Sequence, residues 1–180
     1  MDFKKCLKAI TDKFIENNID FALIGAFALL QSGIERATRD IDFLILSEDL
    51  ERVKQVMSNL TYEAVQTTKL FSQFESPLKV FGSVDFLHAS GKEGKQILKD
   101  AEKCDFLGVK LKIVRPEDLI GLKVLAYSND PSREERDKSD ILLLNEAHRN
   151  AKIKLDLEKI KSYYEMFDKL DDYSKVWSKK

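Results

Sequence analysis

Three aspartates lie in apolar segments of the sequence, where a carboxylate is not expected. Asp40 and Asp42 open the apolar run 40–46, and Asp85 lies inside the run 84–87. Residues two apart in a strand project from the same face, so the first two carboxylates are neighbours. At the edge of a buried strand the two carboxylates repel each other, and each loses hydration on burial. A divalent cation that prefers oxygen ligands would offset both costs. If the strand of Asp85 neighbours that of Asp42, all three can hold Mg²⁺ or Mn²⁺.

A glycine turn lies upstream of these aspartates. The residues from Phe21 to Ile24 predict a short buried strand, Gly25 a tight turn, and the residues from Ala26 to Gln31 a helix. Backbone N–H groups at such a turn, together with the helix N-terminus, can approach a phosphate. A tight turn that binds nothing is the alternative explanation of Gly25.

The first two-thirds of the chain alternates strands and helices. Apolar residues at steps of three and four predict a helix that starts at Phe3. Ser47 suits the N-cap of a later helix, residues 62–87 predict two or three strands, and 103–114 predict a hairpin. This order predicts an α+β fold with α/β-like character, in which helices flank a mixed β-sheet.

The last third of the chain is helical. Pro116 suits the first position of a helix, and the pattern beyond it predicts three helices, broken near 129–131 and at Asn150. These helices carry apolar stripes, so we expect them to pack on the sheet domain. The predicted domains are a core over 1–114 and a helical tail over 115–180.

The composition indicates an ordinary globular protein. The 180 residues are 43% hydrophobic and 34% charged, with a net charge of −1. No global positive field therefore attracts nucleic acid or anionic membranes, and a polynucleotide substrate would need a local basic patch. No apolar run approaches the ~20 residues of a membrane span, and the N-terminus shows no secretion signal. With Cys6 and Cys104 far apart, we expect free thiols in a reducing cytoplasm.

The segment from Ile24 to Phe43 resembles a known signature. It reads Ile-Gly-Ala, thirteen residues, then Asp-Ile-Asp-Phe. This is similar to the signature of the nucleotidyltransferase superfamily, which has the DNA polymerase beta-like fold: apolar, Gly, Gly or Ser, a spacer, Asp, apolar, Asp or Glu, apolar. The superfamily's third carboxylate lies on a later strand, which Asp85 matches. The resemblance implies a nucleoside triphosphate substrate, a metal site at the three aspartates, and backbone contacts from Gly25 and Ala26 to the triphosphate.

The segment 36–42 also resembles a prokaryotic branch of that superfamily, the minimal nucleotidyltransferases of toxin–antitoxin and abortive-infection loci. That branch tends to carry a helical Lys and a later helix rich in Asp and basic residues, which Lys123 and 136–140 resemble. The resemblance implies a macromolecular acceptor such as RNA, and a partner antitoxin. The nucleotide-binding candidates are Gly25, Ala26, Thr38 and Lys123, and the accessory candidates are Arg36, Asp137 and Asp140.

Several of these candidates also have a purely structural explanation. Asp40 and Asp42 could start an exposed strand beside neighbouring arginines, and Asp85 could be a surface carboxylate on an edge strand. Lys123 could extend its stem to water, and the two aspartates of segment 136–140 could form ion pairs on a helix surface.

The leading hypothesis is a metal-dependent nucleotidyltransferase. It would transfer a nucleotidyl group from a triphosphate such as ATP to a hydroxyl of RNA, a protein or a small molecule. Ala26 stands where the superfamily has Gly or Ser and lacks a hydroxyl, which keeps open a non-catalytic module of this fold that binds nucleotide or a partner. A small-molecule adenylyltransferase is the third hypothesis. For an aminoglycoside it would need a pocket rich in acidic groups, which the helical tail does not obviously supply.

Overall fold

The chain divides into two compact units in the computed structural model, which describes residues 1–177. The first unit comprises Met1–Phe27 and Ala37–Val114, and the second comprises Ala28–Arg36 and Arg115–Lys180. The predicted division into a core over 1–114 and a packed tail over 115–180 has one boundary and stays a prediction. Its last residues, 178–180, lie outside the described part of the chain.

All the strands of the described chain lie in the first unit and form one seven-stranded mixed sheet. The strands are β1 (Phe21–Leu23), β2 (Asp40–Leu46), β3 (Glu63–Thr67), β4 (Phe71–Glu75), β5 (Ser83–Ala89), β6 (Glu102–Phe106) and β7 (Val109–Ile113). Their order is β3-β4-β5-β2-β1-β7-β6, with β2–β5 and β1–β7 parallel and the other pairs antiparallel. The mixed sheet with its flanking helices confirms the predicted fold class.

Three helices belong wholly to the first unit, and a fourth starts there. They are α1 (Phe3–Glu16), α3 (Leu50–Asn59) and α4 (Gly91–Asp100), while α2 (Gly25–Gln31) continues into the second unit. The carboxylate of Asp2 caps α1 by accepting a hydrogen bond from the Lys5 N–H. The predicted N-cap at Ser47 is wrong. Ser47 is the first residue of a short 3-10 turn, and the residue before helix α3 is Asp49.

The alternation of β2 separates a core face from a polar face. Ile41, Phe43 and Ile45 are fully buried, and the ring of Phe43 stacks on that of Phe86 with centroids 5.7 Å apart. Phe14 of α1 completes this aromatic cluster, 5.8 Å from Phe86. Because side chains alternate, the carboxylates at the start of β2 project from the opposite face.

Four helices form most of the second unit within the described residues: α5 (Pro116–Asn129), α6 (Glu134–Arg149), α7 (Leu157–Met166) and α8 (Leu170–Trp177). The sequence predicted three. The last predicted helix is split because Asp168 adopts a left-handed φ of 55° and the Lys169 N–H returns to the Tyr164 carbonyl, which ends α7.

Candidate active site

The three predicted aspartates lie on two neighbouring parallel strands of the first unit. Asp42 on β2 pairs in register with Asp85 on β5, and Asp40 pairs with Ser83. A carboxylate oxygen from each of the three aspartates lies within 4.8 Å of the other two. All three residues are half-buried. The structure thus brings together groups that are more than 40 residues apart along the chain.

This arrangement fits a divalent cation. Metal–oxygen distances of about 2.1 Å place the ligands of one Mg²⁺ within about 4.2 Å of each other, so small side-chain rotations suffice to enclose an ion. Three carboxylates this close repel one another, and a bound cation would offset that repulsion. The donor set, all oxygen and all negative, is of the kind that Mg²⁺ or Mn²⁺ prefers.

Gly25 lies directly against the Asp42 carboxylate. A Cβ added at Gly25 would lie 2.7 Å from Asp42 Cγ, closer than real side chains approach each other. The residue also adopts a φ of 65°, which disfavours any side chain. A hydrogen bond joins the backbone of the turn to that of β2, because the Ile24 N–H donates to the Asp42 carbonyl at 2.9 Å. Gly25 therefore allows the turn to touch the carboxylate site, while the next residue, Ala26, has its side chain buried.

Thr38 is held by Asp40. Its hydroxyl donates to Asp40 Oδ1 at 2.5 Å and lies 3.2 Å from the Asp40 carbonyl oxygen. The sequence predicted Thr38 as a nucleotide contact, and the structure places its hydroxyl where it orients a metal-ligand candidate. The two-residue spacing could have indicated this, because Ser and Thr often bond to groups two residues away.

Ser83 is a site residue that sequence reasoning missed. It faces Asp40 across the β2–β5 pair, and its Oγ is buried without a hydrogen-bond partner among the described residues. This position beside Asp40 makes the hydroxyl a candidate to bond a water or another group bound at the aspartates. No local motif marks Ser83, since its position follows only from the strand register.

The remaining predicted residues form a buried charge cluster in the second unit. Lys123 Nζ lies 2.5 Å from Asp140 Oδ2 and 3.3 Å from Asp137 Oδ1. Arg36 Nη1 lies 3.1 Å from Asp140 Oδ2, and Arg133 Nε lies 3.1 Å from Asp137 Oδ2. Lys123, Asp137 and Asp140 are 7%, 1% and 2% exposed, which rules out both the snorkelling lysine and the helix-surface ion pairs.

The opposite face of the sheet holds a buried imidazole–hydroxyl pair. His88 Nε2 lies 2.9 Å from Ser72 Oγ, and His88 Nδ1 lies 3.3 Å from the Lys69 carbonyl oxygen. Burial lowers the pKa of His88 below its ordinary value of 6.5. Because both side chains are buried on the core face, we assign the pair a structural role.

The sequence comparisons match the second half of the chain. Residues 92–177 match the model of a family described as nucleotidyl transferase of unknown function (DUF2204). That range begins after the three aspartates, whose assignment rests on the sheet geometry. A search of curated proteins gives no significant match.

The comparison of solved structures covers nearly the whole chain. The antibiotic-resistance factor ANT(2'')-Ia is similar with a TM-score of 0.64 and 13% identity, over 97% of each chain. The lincosamide antibiotic adenylyltransferase LnuA has a TM-score of 0.55 and 17% identity, over 78% of this chain and 94% of that one. An antigenic nucleotidyltransferase-like protein from Paracoccidioides brasiliensis has a TM-score of 0.55 and 16% identity, over 99% and 97%. At these identities the likeness is one of fold.

Among the described residues, no helix combines the length and the apolar character that crossing a bilayer requires. The family match over residues 92–177 and the shared fold support the predicted nucleotidyltransferase class. We conclude that residues 92–177 resemble a nucleotidyl transferase family and that the chain shares its fold with the nucleotidyltransferases ANT(2'')-Ia and LnuA.

Proposed function

We propose that this protein transfers a nucleotidyl group from a nucleoside triphosphate such as ATP to an acceptor hydroxyl, with Mg²⁺ or Mn²⁺ as the cofactor. The observation that supports this is the approach of carboxylate oxygens from Asp40, Asp42 and Asp85 to within 4.8 Å of one another. Proteins of similar fold include a lincosamide adenylyltransferase and ANT(2'')-Ia in complex with adenylyl-2''-tobramycin.

The residues of the first unit divide the work of holding substrate and cation. Asp40, Asp42 and Asp85 would hold the cation, which supplies charge neutralisation at the triphosphate and a more acidic acceptor hydroxyl. Thr38 keeps the Asp40 carboxylate in place through its 2.5 Å hydrogen bond. Gly25 lets the turn lie against Asp42, so the backbone N–H groups of this turn would donate to a phosphate held beside the aspartates.

The chemical step requires one proton transfer and one displacement. The acceptor O–H gives its proton to the Asp85 carboxylate, and the acceptor oxygen forms a bond to the α-phosphorus. The bond between that phosphorus and the β-phosphate bridging oxygen breaks, and pyrophosphate leaves with the electron pair. Asp85, like the other two aspartates, is half-buried, so an acceptor can reach it.

The residues of the second unit support a different role. In this structure Lys123 makes ion pairs with Asp137 and Asp140, and Arg36 joins them from a separate segment. These contacts favour a cluster that stabilises the second unit. A phosphate contact by Lys123 stays a prediction, as do the antitoxin partner and the toxin–antitoxin setting.

The proposal implies a compartment that supplies nucleoside triphosphates, so we place the reaction in the cytoplasm. The free thiols of Cys6 and Cys104 suit a reducing environment.

A transfer assay tests the proposed function. The purified chain is incubated with α-³²P-labelled triphosphates, Mg²⁺ and either total RNA or a small-molecule extract, and Mn²⁺ binding is measured separately by calorimetry. We expect label transfer that Asp42→Asn abolishes and Asp105→Asn retains, since Asp105 is exposed on the edge strand β6. Transfer that is undiminished in Asp42→Asn would refute the assigned site. Triphosphate binding without transfer to any acceptor would favour the non-catalytic module that Ala26 leaves open.

A further inference from the structure

The two edges of the seven-stranded sheet differ in regularity. The end strands are β3 and β6. The pairing of β3 with β4 shifts its register between Ala64 and Gln66, and such irregularities discourage a further strand from joining an edge. Strand β6 pairs with β7 without a shift from Glu102 to Phe106. Within residues 1–177 no other strand pairs with the outer side of β6, so this side is a regular edge that a strand of another molecule can join.

The turn after β6 determines which backbone groups point outward. Leu107 and Gly108 form a two-residue connection with φ values of 54° and 77°, the pattern of a type I′ turn. Such a turn closes with a hydrogen bond between the last residue of β6 and the first of β7, and hydrogen-bonded pairs then alternate along the ladder. The backbone N–H and C=O groups of Lys103 and Asp105 therefore point away from β7.

The charges of β6 are complementary to those of a second copy of the same strand. The strand reads Glu-Lys-Cys-Asp-Phe, with Cys104 at its centre. If two copies pair antiparallel about a two-fold axis at Cys104, Lys103 of each copy faces Asp105 of the other. An axis at Lys103 or at Asp105 would instead place a charge opposite its own copy, which is unfavourable. The sequence of β6 thus favours one register of self-pairing.

The neighbouring strand β7 leaves Lys103 without a carboxylate across the ladder. Lys103 is exposed and stands directly opposite Lys112, and like charges in this position destabilise a sheet. Lys112 forms an ion pair with Asp20. In the self-paired arrangement Asp105 of the second copy stands on the other side of Lys103, so each lysine of this row gains an acidic neighbour.

An apolar cavity lies beside the same edge. It has a volume of about 560 Å³, and its lining includes Ile15, Ile19, Phe21, Cys104 and Leu111. Ile15 is 61% exposed, although it is apolar. A second copy that pairs about Cys104 brings the same apolar residues to this edge from the other side, and burial of both sets stabilises the pair.

We propose that two copies of this chain associate through the outer edge of β6, antiparallel and centred on Cys104, so that their sheets become one. Backbone hydrogen bonds and two Lys103–Asp105 ion pairs join the copies. Strands β1 and β7 separate β6 from the strands of the three aspartates, so the interface is independent of the proposed cation site.

Sedimentation velocity of the full chain, up to millimolar concentration, tests this interface. We expect a monomer–dimer equilibrium. Lys103→Asp and Asp105→Lys each place like charges opposite one another at two positions and should weaken association by about tenfold or more. An equimolar mixture of these two variants should associate as the parent does, because Asp then faces Lys again at both positions, and so should the chain that carries both changes.

The matched control is Glu51→Lys, a charge reversal on α3 at a side chain that is 82% exposed, which should leave association unchanged. A parent chain that stays monomeric at millimolar concentration would overturn the proposal. So would single reversals that associate as tightly as the parent, or a mixture that does not recover. Label transfer and Mn²⁺ binding of the same samples report on the aspartates separately, so failure of the interface and failure of the proposed function are distinguishable.

Thiol oxidation locates the two-fold axis. Since Lys103 and Asp105 make the hydrogen bonds between the copies, the two Cys104 residues form a non-hydrogen-bonded pair, with Cα atoms about 4.5 Å apart and within disulfide range. Diamide takes up the two thiol hydrogens as the S–S bond forms. We expect a covalent dimer on a non-reducing gel from the parent and from Cys6→Ser, whose replaced thiol is fully buried, and none from Cys104→Ser. Dimers in sedimentation that yield no Cys104 disulfide would refute this register.

Discussion

The contact between Gly25 and Asp42 gives the sharpest test of the site. In Gly25→Ala the new Cβ would lie 2.7 Å from Asp42 Cγ, so the carboxylate has to move away from the turn. The backbone there also has a φ of 65°, and a side chain in the left-handed region costs about 1–2 kcal/mol. We therefore expect two separate effects, a modest loss of stability and a displaced metal ligand.

Gly33 provides the matched control for the first effect. It has a φ of 76°, and a Cβ added there would meet nothing within 4 Å. Both alanine variants should lose about 1–2 kcal/mol, and for a chain of this size each kcal/mol lowers Tm by about 2–4 °C. Only Gly25→Ala should lose function, and since a misplacement of about 1 Å costs roughly a hundredfold in rate, we expect a drop of that order in kcat/KM.

The assay measures label transfer from α-³²P-ATP and Mn²⁺ affinity for both alanine variants beside the parent protein, with Tm from calorimetry. If Gly25→Ala keeps the transfer rate and metal affinity of Gly33→Ala, the close packing of Gly25 against Asp42 has no part in the site.

Three further changes address other parts of the structure. Lys123→Met leaves two buried aspartates without their shared ammonium group and should lower the free energy of unfolding in urea by about 3–5 kcal/mol, whereas Lys8→Met, at an exposed pair, should cost less than about 1 kcal/mol. Equal losses would show that the buried cluster contributes no more stability than an exposed ion pair. Because burial lowers the pKa of His88 below 6.5, the unfolded chain takes up a proton there before the folded chain does as the pH falls. Stability should decline as the pH drops below about 6.5, by at most about 1.4 kcal/mol per pH unit, and His88→Gln should lack this component; identical slopes in calorimetry would disprove it. Thr38→Val removes the hydroxyl that holds Asp40 and should lower kcat about tenfold, while Thr38→Ser should retain it, and full activity in the valine variant would exclude an orienting role.

The sequence predicts that the three aspartates converge because strand geometry limits where their side chains can point. Asp40 and Asp42 share a face through the two-residue period, and an apolar context singles out Asp85. Which residue of β5 faces which residue of β2 depends on tertiary packing and not on periodicity. Ser83 was missed for that reason, since it reaches the three aspartates only through the pairing register.

The second unit was harder to predict because its decisive features are long-range. Lys123 lies in a helix that is apolar on most sides, and its partners Asp137 and Asp140 come from the next helix. Local pattern shows three charges but not that they meet inside the protein. The break at Asp168 was missed because neither Gly nor Pro marks it, although its backbone is left-handed.

The in-register pairing of Asp42 with Asp85 means that the proposed cation site is intact only while strands β2 and β5 remain paired. Seven consecutive residue pairs join β2 to β5, and both strands have neighbours on their other sides, so fraying at a loop cannot scatter the ligands. Metal binding and heating therefore both change the equilibrium between the folded and the unfolded chain. Saturating the site at a hundred times its dissociation constant should protect the slowest-exchanging amides of β2 and β5 by about 2.7 kcal/mol, an amount that hydrogen exchange can read strand by strand.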